Sequence, residues 1–371
     1  MTTLAPPPPI APPAGGKPEP RLLTDDVPRD IRSKTLDDRL SLWGSLVAAF
    51  GLVWIGYFNV LPTSGLLGFL ICWFVVYLAL YAYVTAQSNP KPVVIDRTMA
   101  ALIFGGAAVV FFAVGSTVVY TFAKGWPALH HLNFYTHDMS GVGPTDPLIR
   151  GGILHAIAGS GIEVGIAVLF ALPLGLGTAI YMSEVGGRAA RPVRTVVESM
   201  TALPDILAGL FVYTVLILGL GQQRSGFAAA VALTIMMLPI IARSADVVLR
   251  IVPGGLREAS LALGATQART VWNVVLPTAR SGLATALILG IARAVGETAP
   301  VLITSGASTF LNTNPLNGPM NSLPLFIYSG VRSGEPAYIA RGFGAASVLL
   351  FLVIVLFILT RFLARERKGS R

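Results

Sequence analysis

The feature that most limits how this chain can fold is a set of long uncharged runs. No Asp, Glu, Lys or Arg occurs in residues 41–90, 98–123, 225–242 or 342–360. A helix that crosses the hydrocarbon core needs about 20 mostly apolar residues at roughly 1.5 Å each. The first run is long enough for two such helices, with Leu61-Pro62-Thr63-Ser64-Gly65 as the turn between them. Composition agrees: 54% of residues are hydrophobic and 12% charged, where a soluble domain carries about 25% charged residues. The expected fold class is therefore an all-α polytopic membrane protein. Eight spans are predicted, near residues 42–61, 65–84, 99–122, 153–181, 195–218, 226–249, 282–304 and 342–362.

The net charge of +9 suggests nucleic acid at first sight, but the basic residues sort by loop instead of gathering on one surface, so no nucleic-acid partner is expected. With the N-terminus inside, 21 of the 27 Lys and Arg fall in cytoplasmic tails, loops or inner span ends. Lys124, Arg150, Arg224, Arg332 and Arg341 then lie outside, and Arg293 falls deep within a span. The positive-inside rule thus places both termini in the cytoplasm, in a multi-pass plasma-membrane protein surrounded by lipid. Cys72 is the only cysteine; it sits in an apolar span and can form no intrachain disulfide. The N-terminal residues form a Pro, Ala and Gly tract, without the basic-then-apolar pattern of a secretory signal. Residues 1–39 read as a disordered cytoplasmic tail.

Two external segments are long, residues 124–152 and 305–341. The first holds His130, His131 and His137, which no cysteine or carboxylate cluster completes into a metal site, so no metal is expected. The second contains the apolar patch Leu323-Pro324-Leu325-Phe326-Ile327-Tyr328, readable as a re-entrant element or as an exposed loop.

Residues 253–277 carry the strongest pattern. Pro253 suits a helix start, Ala and Leu carry the helix to Leu263, and Gly264 suits a left-handed stop. Thr266 then caps a second helix, expected to end before Pro277. Two helices joined at a glycine form a cytoplasmic elbow, which either docks into a partner or merely links two spans. The loop resembles that of ABC-importer permeases, which reads Glu-Ala-Ala, three residues, Gly, nine residues, then Ile, any residue, Leu-Pro. Here Glu258, Ala259, Ser260, Gly264, Val274, Leu276 and Pro277 stand at those offsets, with Ser for Ala and Val for Ile. The resemblance implies that the elbow seats in a cleft of an ATPase subunit, with Glu258 making polar contacts and Gly264 permitting the bend. The chain is not expected to be an enzyme: Gly-x4-Gly-Lys-Ser/Thr is absent, and Gly16-Lys17 precedes Pro18. ATP and Mg would bind only to the partner, and no cofactor to this chain.

Charged residues in mid-span cost roughly 2.5–3.5 kcal/mol each on insertion scales, so they are functional candidates. Arg293 lies about 16 Å from the cytoplasmic end of its span at the usual helical rise. Glu297 follows four residues later, on the same helix face. The pair reads either as a structural ion pair or as an anion-contacting Arg oriented by Glu297, with the Thr298 hydroxyl near. A guanidinium suits a tetrahedral oxyanion because its donors form a fixed fork.

Ala292-Arg293-Ala294-Val295-Gly296-Glu297-Thr298-Ala299-Pro300 after an elbow loop is similar to the PstA-type permeases of phosphate-specific importers. Two more stretches resemble that family, Gly177-Thr178-Ala179-Ile180-Tyr181-Met182-Ser183-Glu184 and Asn321-Ser322 with the apolar patch that follows. The resemblance implies a six-span core, a sister permease forming a heterodimer, a homodimeric ATPase and an external phosphate-binding protein, with Arg293 and Glu297 in transport. The chain then divides into the tail, an extra two-span hairpin and linker over 40–98, the core over 99–365, and a cytoplasmic tail over 366–371. Three departures stand out. The hairpin lies outside the usual six spans, Leu203-Pro204-Asp205-Ile206 replaces Pro-Ser, and Glu163 occupies an ordinarily uncharged position. Asp205 and Glu163 both approach the depth of Arg293, and three acids against one Arg is an odd lining for an anion path. They are protonated, pair with a sister subunit, or point elsewhere. Alternatives to phosphate import are a permease for another oxyanion, a proton-driven secondary transporter relaying through Glu163, Asp205 and Glu297, or a membrane scaffold without transport.

Overall fold

A computed structural model describes residues 36–60 and 65–364. The Pro-rich tail, the 61–64 turn and the C-terminal tail lie outside the described residues. Among those described, all regular structure is helical. In chain order the helices are α1 (Leu36–Trp54, continued by a π turn to Val60), α2 (Leu66–Ser88), α3 (Lys91–Leu129), α4 (Asn133–Thr136) and α5 (Leu154–Ile180, continued by a π turn to Val185). Next come α6 (Ala190–Thr201), α7 (Asp205–Val212, continued by a π turn to Gly219), α8 (Gly226–Ile251), α9 (Gly254–Ala262) and α10 (Gln267–Thr270). The last are α11 (Leu276–Val295), α12 (Ala299–Thr304), α13 (Leu323–Val331) and α14 (Pro336–Ala364). Seven helical segments are long and apolar enough to cross a membrane, and the bent pair α6 and α7 makes up to eight.

The chain divides into two compact units, with the boundary inside α3 between Phe112 and Ala113. In the first unit α1 and α2 pack as a hairpin. Trp73 Nε1 donates to the Leu46 carbonyl at 3.1 Å, and Phe50 meets Phe69 and Trp73 edge-on, both at 5.5 Å. Arg97 pairs with Asp38 at 2.5 Å. Offset and edge-on rings each add about 0.5–1.5 kcal/mol beyond burial, which is how a hairpin of only two helices keeps a fixed register.

The second unit is built around α8, the most deeply buried span. Val164, Ala167 and Ala171 of α5, Leu233, Met237 and Ile241 of α8, and Ala294 and Val295 of α11 form its core. Small residues on α5 let the backbones approach, as in membrane helix pairs generally; a Cβ on Gly175 would come within 2.9 Å of Ile241.

Three predicted elements need correction. The fifth span is not one helix: α6 and α7 meet at 100°. Pro204 has no N–H to continue the ladder and holds ψ at 132°, so the backbone leaves the helix there. The seventh span starts at Leu276 and breaks at Gly296, because the ring of Pro300 would collide with the carbonyl four residues earlier. Consequently the second elbow helix does not end before Pro277. Its chain runs on through a π turn over Val271–Val275 into α11, the widened turn accommodating a residue that cannot donate.

α13 is buried at Leu323, Pro324, Leu325 and Phe326, so the patch is a packed helix and not an exposed loop. Arg341, expected outside, is a buried residue of α14 at 1% exposure. Its Nη2 donates to the carbonyls of Asp146, Pro147 and Arg150 at 3.1, 2.9 and 2.9 Å. Asp138 ties the same layer together, accepting from the backbone N–H of Leu311 at 2.9 Å and of Ser140 at 3.1 Å. Partial burial opposes ionisation of Asp138, but these hydrogen bonds outweigh it and hold the carboxyl below the usual range. His130 and His131 lie with ring centroids 4.1 Å apart, and no group of three potential metal ligands gathers among the described residues.

Candidate functional site

Two broken spans meet halfway along α8. α7 begins there with Asp205 in its first turn, and α11 ends there with Arg293 in its last turn. Both placements suit the helix dipole, which favours an acid at an N-terminus and a base at a C-terminus. The two ends face one another: Arg293 Nη2 donates to Asp205 Oδ2 at 2.8 Å, and Arg293 Nε lies 3.4 Å from Glu297 Oε1. Although α11 has ended by Glu297, the turn through Gly296 keeps the two side chains in contact.

Beside this pair opens a cavity of about 530 Å³. Thr201, Pro204 and Asp205 form one wall, Met236, Pro239 and Ile240 of α8 a second, and Leu289, Ala292 and Arg293 a third, with Val353 and Phe357 of α14 opposite. The lining is apolar except for Thr201, Asp205 and Arg293. Arg293 is half exposed and Asp205 37% exposed, whereas Glu297 lies behind them at 16%. Such a surface offers one cation to an entering anion, already engaged by two carboxylates. Thr298 is half-buried ahead of α12 and does not line the cavity.

The structure therefore brings Asp205, Arg293 and Glu297 together and places Glu163 elsewhere. Glu163 is 1% exposed on α5. Ser305 Oγ lies 2.5 Å from Glu163 Oε1 and 2.6 Å from the Met320 carbonyl oxygen. A serine hydroxyl carries one hydrogen, so the two oxygens compete for it. Glu163 thus fastens α5 to the segment that joins α12 to α13 and does not share the guanidinium.

The second locus is the elbow. Pro253 precedes α9, and Gly264 holds φ at +82°, where any Cβ is strained. Thr266 caps α10, accepting from Arg269 N at 3.3 Å. Ser260, where the family pattern has Ala, lies 2.8 Å from Thr270 Oγ1, joining the two arms by a hydroxyl pair. Glu258, Ala259 and Gly264 are exposed, as are Leu256, Leu261 and Leu263, the last at 89%. Leu276 and Pro277 stand at the root, where Val275 and Ala279 pack on Leu249 and Ala179. The elbow therefore presents apolar side chains and one acid on a base anchored to α5, α8 and α11.

Sequence reasoning missed how α6 is held. Asp246, 9% exposed, accepts from Arg250 Nε at 3.1 Å and lies 3.6 Å from Arg194. The i,i+4 spacing of Asp246 and Arg250 was a readable signal; the approach of Arg194 from another helix was not.

Comparison with known proteins bears on both loci. The family described as binding-protein-dependent transport system inner membrane component matches residues 171–369. The phosphate transport system permease protein PstA 1 of Mycobacterium tuberculosis is 41% identical over 250 residues, 66% of this chain and 82% of that protein. The phosphate transport system permease protein PstA of Haemophilus influenzae is 34% identical over 247 residues, 66% of this chain and 85% of that protein. The inward-facing MetNI methionine ABC transporter aligns with 58% of this chain and 93% of its own at 24% identity, with a TM-score of 0.45, too loosely to bear on the site. The family match includes the elbow and the broken seventh span and covers more than half of the residues, so this chain belongs to the binding-protein-dependent transport system inner membrane component family, as a permease of the PstA type.

Proposed function

We propose that this chain is the membrane-spanning permease subunit of an ABC importer that carries inorganic phosphate into the cell, driven by ATP hydrolysed on a separate subunit. The observation that carries the phosphate reading is the likeness to phosphate transport permeases along two thirds of the chain. The geometry supports it with a cation on the wall of a half-height cavity. Both termini face the cytoplasm, as the distribution of Lys and Arg favours.

In this reading Arg293 contacts the passing anion. Its pair with Asp205 borders the open cavity, so an arriving phosphate oxygen can take the place of Asp205 on the guanidinium. Glu297, less exposed, stays behind and keeps the fork oriented. Two carboxylates facing one cation leave little net attraction. The anion is held weakly and leaves readily, as conduction requires. A sister permease forms the other half of the path, a homodimeric ATPase receives the elbow through Glu258 and the exposed leucines, and an external binding protein delivers phosphate.

The reading is tested by purifying the chain with its partner subunits and measuring labelled phosphate uptake into vesicles. Uptake that needs ATP and survives collapse of the proton gradient is expected. Uptake that follows the proton gradient without ATP would overturn it in favour of a secondary transporter.

A further inference from the structure

Glu184 closes one of the family-like stretches, yet neither the cavity nor the exposed face of the elbow uses it. It lies in the π turn that ends α5, 73 residues before its partner in sequence. Its carboxylate is 6% exposed and receives both faces of the Arg257 fork: Nε to Oε2 at 3.0 Å and Nη2 to Oε1 at 2.7 Å. Arg257 belongs to the first turn of α9, the leading arm of the elbow. The same guanidinium donates from Nη1 to the Val252 carbonyl at 2.6 Å and from Nη2 to the Leu249 carbonyl at 2.8 Å. Those carbonyls belong to the end of α8; Leu249 also accepts from the backbone N–H of Val252 at 3.3 Å, and the guanidinium adds a second bond there. Gln267 of the second arm donates to the Glu184 backbone carbonyl. One hydrogen-bonded cluster, with Glu184 buried and Arg257 partly buried, therefore joins α5, α8 and both arms of the elbow.

We propose that the Glu184–Arg257 pair is a positioning element for coupled transport, the strap through which a push on the elbow reaches α5 as well as the two spans it connects covalently. The elbow is attached by chain only to α8 and α11. α5 packs against α8 along its length and supplies Val164, Ala167 and Ala171 to the core behind the cavity. Without the strap, a tilt of α9 would reach α5 only indirectly, through its packing on α8. With it, the three spans move as one body. A bidentate, desolvated pair suits this task because its geometry is fixed in both distance and direction. Exposed ion pairs lack that rigidity.

This inference rests on the elbow being the ATPase contact, and the experiment separates the two. The whole complex is reconstituted with Glu184→Gln, with Arg257→Lys, and with each combined with Glu258→Cys for cross-linking to the ATPase. Both variants keep a hydrogen-bonding side chain in place, so assembly is retained. The expected result is an unchanged cross-link and continuing ATP hydrolysis, with phosphate transported per ATP reduced about tenfold, the size of one lost hydrogen bond to a charged group. The double variant Glu184→Gln with Arg257→Lys should then lose no more than the worse single. An intact cross-link with transport per ATP unchanged in both single variants would overturn the strap alone. Failure of the cross-link in the Glu258→Cys protein with Glu184 and Arg257 intact would overturn the elbow contact and the strap with it. Loss of assembly in both single variants would make the pair structural and also overturn the proposal.

Discussion

Glu163 offers a perturbation whose outcome depends on chemistry and not on size. It is buried, and its Oε1 and the Met320 carbonyl compete for the one hydrogen of Ser305 at 2.5 and 2.6 Å. Glutamine in its place brings an amide that donates to Ser305 Oγ, leaving the hydroxyl free to donate to Met320. Every contact is then satisfied, and the expected cost is below about 1 kcal/mol. Alanine removes the partner of Ser305 and leaves a void between α5 and the segment that joins α12 to α13. The lost hydrogen bond contributes about 1 kcal/mol and the missing side-chain atoms a further 1–3, giving roughly 2–4 kcal/mol. The assay is thermal unfolding of the purified complex together with ATP-driven phosphate uptake. Glu163→Gln should match the parent in both, whereas Glu163→Ala should unfold at a clearly lower temperature. If Glu163→Gln unfolds normally but abolishes uptake, the carboxyl itself takes part in transport, and the assignment of Glu163 as a fastening would fall.

Arg293→Lys should impair uptake less than Arg293→Gln, and neither should prevent assembly; recovery of uptake in the double variant Arg293→Gln with Glu297→Gln would show that the pair is only structural. Gly264→Val forces a side chain into a left-handed turn at a cost of roughly 1–2 kcal/mol; it should lower uptake per ATP hydrolysed while the chain still inserts, measured by coupled hydrolysis and uptake. Asp138 has a depressed carboxyl pKa when folded, so its contribution is present above the unfolded value, near 3.8, and lost as pH falls through the folded value. Hydrogen exchange at Leu311, corrected for intrinsic rate, should therefore quicken in Asp138→Asn at neutral pH, and an unchanged rate would contradict the anchoring role.

The spans were legible because the hydrocarbon core demands length and lack of charge, and the runs at 41–90 and 342–360 declare both. The elbow was legible because Gly264 and Thr266 are local signals whose geometry needs no tertiary partner. The breaks were harder to read. Pro173 and Pro239 lie inside α5 and α8 without ending them, so proline alone does not mark a break. What distinguishes Pro204 is its setting: α6 before it carries Arg191, Arg194 and Glu198, and Asp205 after it opens the next helix. The burial of Arg341 was not legible, because its carbonyl partners lie more than 190 residues earlier. Separations of 73 and 88 residues likewise hid Glu184 from Arg257 and Asp205 from Arg293. The i,i+4 spacing made the Arg293–Glu297 contact legible, whereas the meeting of Arg293 with Asp205 was not.

Movement of phosphate by this chain at the expense of ATP is read from transport by the reconstituted complex. Labelled phosphate should enter vesicles only when ATP reaches the ATPase face, should continue after a protonophore is added, and should fall sharply with Arg293→Gln. Phosphate entry without ATP, or undiminished entry with Arg293→Gln in an assembled complex, would contradict the account.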